Sequence, residues 1–334
     1  MSKAALSSQD RDLWSLLARD VKLTTSASSA ASSNEAVVLV VGDFKAGKST
    51  IIQSFLKPNA GKEPKPTFAL EYSFARKKSA SSGKSVAHIW ELGGEISDPG
   101  FLQVPITMRT LNDAAILICC DLSKPQNIYS TLKYYYENMK QIIRQYIADM
   151  QRLSWDTKIS QLRQYASRPI NEGTHPDSQK LRLLEIPNFI ILTKYDVFKN
   201  LPLADRRLVY QIVRFFAHYY GASILTYTSD ANQKESFRTY FSSICFQTPL
   251  KSIYEVSSDK PLFVSHGNDT FENILLGRKG IDDNKVNMIF IFHPIFDMLY
   301  VTRVYSKRNC CHLRMMPKDS LHPKGSLWMP GRGT

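Results

Sequence analysis

The sequence predicts an α/β fold with a mostly parallel sheet flanked by helices on both faces. Three observations predict it. Short β-branched apolar runs alternate with stretches of helical periodicity; "GDFKAGKST" (42–50) follows one such run and opens a helix; "TKYD" (193–196) closes a later run.

The elements follow in order. Leu13, Leu16 and Leu17 in "DRDLWSLLARDVK" (10–22) have helical spacing, so a short amphipathic helix is expected there. "TTSASSAASSNE" (24–35) is a small-residue linker without periodicity. "AVVLVVG" (36–42) then reads as a strand buried on both faces, because an uninterrupted apolar run leaves no side for water. In "KSTIIQSFLK" (48–57), Ile51, Ile52, Phe55 and Leu56 form one helical face. Further strands are expected in "VAHIWEL" (86–92), "AAILICCDL" (114–122), "NFIILTKYD" (188–196) and "ASILTYTS" (222–229). Helical segments fill the gaps, notably 128–153 and 205–220, while the polar stretch 154–187 reads as a surface excursion. The chain thus divides into an N-terminal helix and Ser/Ala-rich linker (1–35), an α/β domain (36–250), a C-terminal extension of it (251–284) and an atypical basic tail (285–334).

Composition narrows the function classes. The longest apolar candidate, 286–301, falls short of the roughly 18 residues that suggest a membrane span and is broken by His293, Pro294 and Asp297. Charges in "SSQDRDLWSLLARD" occupy the place of a signal-peptide core, so a soluble intracellular protein is expected. The net charge of +13 is concentrated at the end: 285–334 carry eight Lys/Arg against two acids. No DNA-reading motif or RNA-binding aromatic signature accompanies it, so nucleic acid is not an expected partner. The five cysteines form no C-x-x-C pair, and Cys119 and Cys120 end an apolar run; buried reduced thiols are expected rather than a metal centre.

The run 42–50 fits G-x-x-x-x-G-K-[ST] at every fixed position. Gly42 and Gly47 let the loop curl so that the N–H groups of Asp43, Phe44, Lys45 and Ala46 face phosphate oxygens. Lys48 reaches the β- and γ-phosphates, Ser49 offers its hydroxyl to Mg²⁺, and Thr50 continues the helix whose N-terminus favours an anion. "TKYD" resembles the guanine-reading N-K-x-D element of GTPases: Lys194 and Asp196 match and Thr193 replaces asparagine. Thr228 and Ser229 in "YTS" stand where such domains place a second base-contacting loop. GTP or GDP with Mg²⁺ is therefore the expected ligand, if the site holds one, in a P-loop GTPase-like domain.

Hydrolysis has less support. In "WELGG" (90–94), Glu91 replaces the aspartate of D-x-x-G, one methylene longer, and Glu95 stands where many GTPases orient water with glutamine. A carboxylate there faces a polyanion. Gly94 can still give its N–H to a γ-phosphate, and Thr67 has the spacing of a magnesium-binding switch threonine or of a turn residue after Pro66. No catalytic residue is assigned.

"PKPTFALEYSFARK" (64–77), "HIWELGG" (88–94), "LICCDLSKP" (117–125), "TKYDVF" (193–198), "FAHYYGASILTYTS" (216–229) and "KPLFVSHGNDTFENI" (260–274) resemble, in matching order, the dynein light intermediate chain family in its cytoplasmic dynein 2 branch. The resemblance spans about 36 to 276. It implies a non-catalytic subunit that binds the dynein 2 heavy chain alongside the other dynein 2 subunits. It further implies a role with the intraflagellar transport machinery in retrograde transport and cilium assembly, hence a cytoplasmic, cytoskeletal and ciliary location. The family's P-loop is matched here by Gly42, Gly47, Lys48 and Ser49. An active small GTPase switch in trafficking is the alternative, and a different P-loop enzyme such as a kinase is disfavoured by "TKYD". After about 284 the chain departs from the family, either through a lineage-specific tail or through a mispredicted exon or retained intron, so tail-mediated partners do not carry over.

Overall fold

An eight-stranded sheet in the order β2-β3-β1-β4-β5-β6-β8-β7 organises the computed structural model. The structure describes residues 35–58, 64–79, 83–96, 98–167, 170, 175–228, 230–249 and 252–275. The chain divides after residue 280, and every described residue lies in the first unit. The expected helix at 10–22, the linker, the tail and Ser229 lie outside the described residues.

β1 (Glu35–Gly42) is the central buried strand, apolar because helices cover both of its faces. It pairs in parallel with β3 (Gly83–Leu92) and with β4 (Ala114–Asp121), and the parallel ladder continues through β5 (Asn188–Thr193) and β6 (Ser223–Thr226). Three pairings are antiparallel. β2 (Leu70–Ser79) pairs with β3 at one edge, and the short β8 (Phe263–Val264) and β7 (Tyr254–Glu255) close the other. β2 is a strand that apolar runs do not reveal, because its aromatics sit on the exposed face.

One sheet face packs Val38, Val40, Ile89, Leu117 and Ile191 against α1 (Lys48–Leu56) and, counted ahead in chain order, α6 (Ala231–Cys245), through Ile51, Phe237 and Phe241. The other face meets α2 (Pro125–Arg152) and α5 (Leu203–Tyr220), where Tyr136 stacks on Tyr220 at 4.2 Å. Each fully buried aliphatic or aromatic side chain contributes about 1.5–3 kcal/mol, so these two layers dominate the stability. Pro125 starts α2, where its missing N–H costs no helical bond, and Gly221 ends α5 at φ 72.

Two expectations need correction. The stretch 154–187 is no mere excursion: α3 (Asp156–Ser167) buries Ile159 and Leu162, and Ile170, Leu181, Leu184 and Ile186 join the interior. Its apolar residues are sparse and widely spaced among polar ones, which masks their single buried face. Nor do α-helices fill every gap. Between β3 and β4 the described residues form only 3-10 turns at Pro99–Gln103 and Leu111–Asp113. The outward face of β2 and β3 consequently carries Tyr72 and Phe74, 46% and 48% exposed. Two short helices remain, α4 (Tyr195–Phe198) and α7 (Phe271–Ile274), the latter capped by the Thr270 hydroxyl.

Candidate functional site

The loop between β1 and α1 forms a tight phosphate-type cradle. Gly42 adopts φ 142, and a Cβ there would fall 2.3 Å from the Cys119 carbonyl oxygen. Gly47 caps α1 at φ 87, and Lys45 between them is left-handed at φ 59. The Ala46 N–H donates to the Asp43 carbonyl at 3.1 Å, closing the turn. Asp43 is anchored from outside the loop: the Thr131 hydroxyl on α2 donates to its carboxylate at 2.8 Å. Phe44 is 40% exposed, with the Lys45 ammonium 5.2 Å from its ring centre.

Lys48 is buried, and its ammonium donates to the Gly42 and Asp43 carbonyls at 2.9 Å each. Burial pulls its pKa down, opposed by the nearby Glu91 and Asp43 carboxylates. The Ser49 hydroxyl donates to Glu91 at 2.6 Å. Burial pushes the Glu91 carboxyl up, while hydrogen bonds from Ser49 and Thr67 and the nearby Lys48 charge pull it back. The Thr67 hydroxyl shares its one proton between Glu91 and Glu71, whose carboxylate it meets at 3.0 Å. Ser49, Glu91 and Thr67 therefore meet in one place, and all offer oxygen, the donor that a hard cation such as magnesium takes. The extra methylene of Glu91 spans the gap and lets its carboxylate bond the Ser49 hydroxyl directly.

Gly94 packs on the cradle itself. A Cβ there would lie 2.2 Å from the Phe44 nitrogen, so only glycine fits. Glu95, one residue on, is exposed.

A cavity of about 770 Å³ opens over the loop. Its walls comprise residues 44–50, Gln53, Ser54, Lys57, Pro58, residues 64–67, Glu91, Gly94, Tyr227 and Lys234. Five of these are lysines (Lys45, Lys48, Lys57, Lys65, Lys234) against the single carboxylate Glu91, an arrangement that attracts a polyanion. No arginine lines it among the described residues. Gln53 and Lys57 were not expected at the site, although their spacing of four and eight from Ser49 puts them on its face of α1 and at its end. Tyr227 opens the "YTS" run expected to supply a second loop, whereas Lys65 and Lys234 arrive from distant segments and had no such signal.

The guanine-type residues sit apart from these walls. The Thr193 hydroxyl donates to the Ala46 carbonyl at 2.8 Å, bracing the loop from below. Lys194 forms an ion pair with the buried Asp121 at 2.5 Å, so its charge is committed to the end of β4. Asp196 is exposed on α4 and Thr228 is buried after β6.

Fold and cradle together define a P-loop protein of the GTPase-like α/β class. The dynein light intermediate chain (DLIC) family model matches residues 8–169. Proteins called cytoplasmic dynein 2 light intermediate chain 1 match over most of the chain. The mouse protein (Mus musculus) is 30% identical over 287 residues, covering 85% of this chain and 80% of its own. The rat protein (Rattus norvegicus) is 31% identical, covering 78% and 73%, and the human one (Homo sapiens) is 29% identical, covering 96% and 88%. The chain belongs to the dynein light intermediate chain family. The crystal structure of the dynein light intermediate chain's conserved domain superposes with a TM-score of 0.52 at 18% identity, over 75% of this chain and 88% of that one, a likeness of fold. Among the described residues no helix is long and apolar enough to cross a membrane.

Proposed function

We propose that the chain is a non-catalytic subunit of cytoplasmic dynein 2. In this reading it binds the heavy chain beside the other dynein 2 subunits, and supports retrograde intraflagellar transport and cilium assembly from the cytoplasm, cytoskeleton and cilium. The match to dynein 2 light intermediate chains over most of the sequence supports the motor assignment. The β2–β3 face, over which no helix of the described residues lies, offers a surface for the partner: Tyr72 contacts Trp90 and His88 across the register, and Phe74 lies beside it, where an α/β protein normally lays a helix.

The lysine-lined cradle is suited to a nucleotide di- or triphosphate. When bound, GTP or GDP with Mg²⁺ would supply phosphate charge and a metal bridge to its oxygens. The loop N–H groups and Lys48 would hold the phosphates, and Ser49 with Thr67 and Glu91 the ion. The observation carrying the non-catalytic half is the Ser49–Glu91 bond, with Glu95 exposed beside it. Glu91 is engaged with Ser49, and Glu95 puts a carboxylate in place of the neutral glutamine amide, where water must approach a polyanion. An active switch is the second reading, favoured by the complete cradle with its buried lysine. Purified protein should turn over GTP no faster than on the order of 10⁻⁴ s⁻¹, the unassisted rate of a small GTPase. Turnover of several per minute without a partner would favour the switch. Affinity capture from ciliated cells should recover the dynein 2 heavy chain, and its absence would sink the motor assignment.

A further inference from the structure

Far from the cradle, three chain segments meet at a knot of imidazoles and a carboxylate. His175 and Asp177 come from the segment before β5, His218 from the last turn of α5, and the start of α7 lies against both. One ligand atom from each of His175, Asp177 and His218 lies within 4.8 Å of the others. Asp177 and His218 are buried and His175 is partly so.

The hydrogen bonds fix which atoms face inward. His175 Nε2 contacts the Asp269 carbonyl oxygen at 3.0 Å, and a carbonyl only accepts, so Nε2 carries the proton. The His175 Nδ1 accepts the Asp177 N–H at 3.2 Å, a long bond that a metal would displace. An imidazole whose other N–H is spent on a backbone carbonyl is how metal-binding histidines are usually braced. His218 Nε2 meets Asp177 Oδ2 at 2.9 Å, and the Phe271 N–H donates to that same oxygen at 2.8 Å. Just beyond the end of α5, beside Gly221, Nε2 of His266 is buried with no hydrogen bond.

We propose that His175, Asp177 and His218 bind a divalent transition metal, zinc by its donor set, as a structural clasp joining the 175–177 segment, the end of α5 and the start of α7. Two imidazoles and one carboxylate are ligands zinc takes, and a fourth position is left for water. Bonds of about 2.0–2.1 Å place tetrahedral ligand atoms roughly 3.3 Å apart, so the knot contracts modestly on binding. His218 gives up its direct bond to Asp177, and both groups turn to the metal. Its Nε2 must then be the free lone pair, with the ring proton on Nδ1.

The full-length protein, treated with a chelator and dialysed, should take up about one zinc per chain and rise several degrees in thermal midpoint. Cobalt(II) substitution should give the visible absorption of a tetrahedral nitrogen–oxygen site. His175→Gln, at the partly exposed corner and so least able to unfold the chain, should weaken zinc binding on the order of tenfold or more, and Asp177→Asn likewise. Failure of the wild type to take up zinc overturns the proposal. So does uptake that survives both variants but is lost in Cys310→Ser with Cys311→Ser, which would put the metal in the tail.

Discussion

Lys48 is tied to the loop it serves, donating to two carbonyls at 2.9 Å from a buried position that depresses its pKa. Its ammonium is therefore held at the loop itself. Lys48→Ala should reduce retention of GDP or GTP at least about tenfold, the loss of one charge-assisted phosphate contact. Capture of the heavy chain should be unchanged; a folded mutant that loses the heavy chain would mean that nucleotide gates the interaction. Cysteine chemistry at this scale is equally local. Burial pushes the Cys119 thiol up to about 12, and Cys245 and Cys120 are also raised by burial. The thiolate is the reactive form, so at pH 8 these three should resist alkylation in the native protein and label only on denaturation, read by mass spectrometry of their peptides. Labelling of Cys119 at the rate of a free thiol would show that β4 opens. The burial of Cys119 and Cys120 was legible from "AAILICC" alone, because an apolar strand buried on both faces takes its small thiols with it.

At the scale of elements, the edge hairpin β2–β3 separates packing from recognition. Ala87 and Ile89 face the core, whereas Tyr72 and Phe74 face out and Arg76 lies 4.8 Å over the Phe74 ring. The double replacement Tyr72→Ala with Phe74→Ala removes two half-exposed rings from an edge strand, so it should cost stability only on the order of 1 kcal/mol. Recovery of the heavy chain in affinity capture should fall sharply, since paired aromatics at an interface carry much of its energy. Undiminished recovery would move the partner to another surface. The sequence did not reveal β2, because "LEYSFARKK" alternates with its large rings outward and so reads as no buried run. The buried face of α3 escaped for the opposite reason, with Ile159, Leu162 and Ala166 set among polar residues. Only the packing partners supplied by α2 and the 3-10 turn at 111–113 turn those three into core.

Across the whole molecule, the segment after α6 is latched back onto the sheet. Arg214 on α5 grips Asp269 through two bonds of 2.7 Å, with both side chains nearly inaccessible, and the Tyr254 hydroxyl joins them. The Tyr210 hydroxyl donates to the Lys260 carbonyl at 2.8 Å, and β8 adds to the edge at β6. Arg214→Leu would leave the Asp269 carboxylate buried without its cation, at a cost of about 3–5 kcal/mol. Chemical denaturation should show that loss, and the double replacement Arg214→Leu with Asp269→Leu should recover much of it. If Arg214→Leu alone denatures like the wild type, the pair is not holding the C-terminal segment in place.

The sequence by itself determined the α/β class, the central parallel strands and the cradle at 42–50. Each is written in contiguous residues: unbroken apolar runs, helical spacing, and glycines at the two positions where the backbone must turn left-handed or approach another chain segment. Tertiary structure alone decided what depends on residues far apart in the chain. It set Glu91 on the Ser49 hydroxyl, brought Lys65 and Lys234 to one cavity, tied Lys194 to Asp121, and left Asp196 exposed. It also brought His175, Asp177 and His218 together across more than forty residues of chain. A local pattern fixes φ, ψ and which face is apolar, because those depend on neighbours within a turn or a strand. Which charge meets which is set by strand order and crossover, and a motif read along the chain carries no record of either.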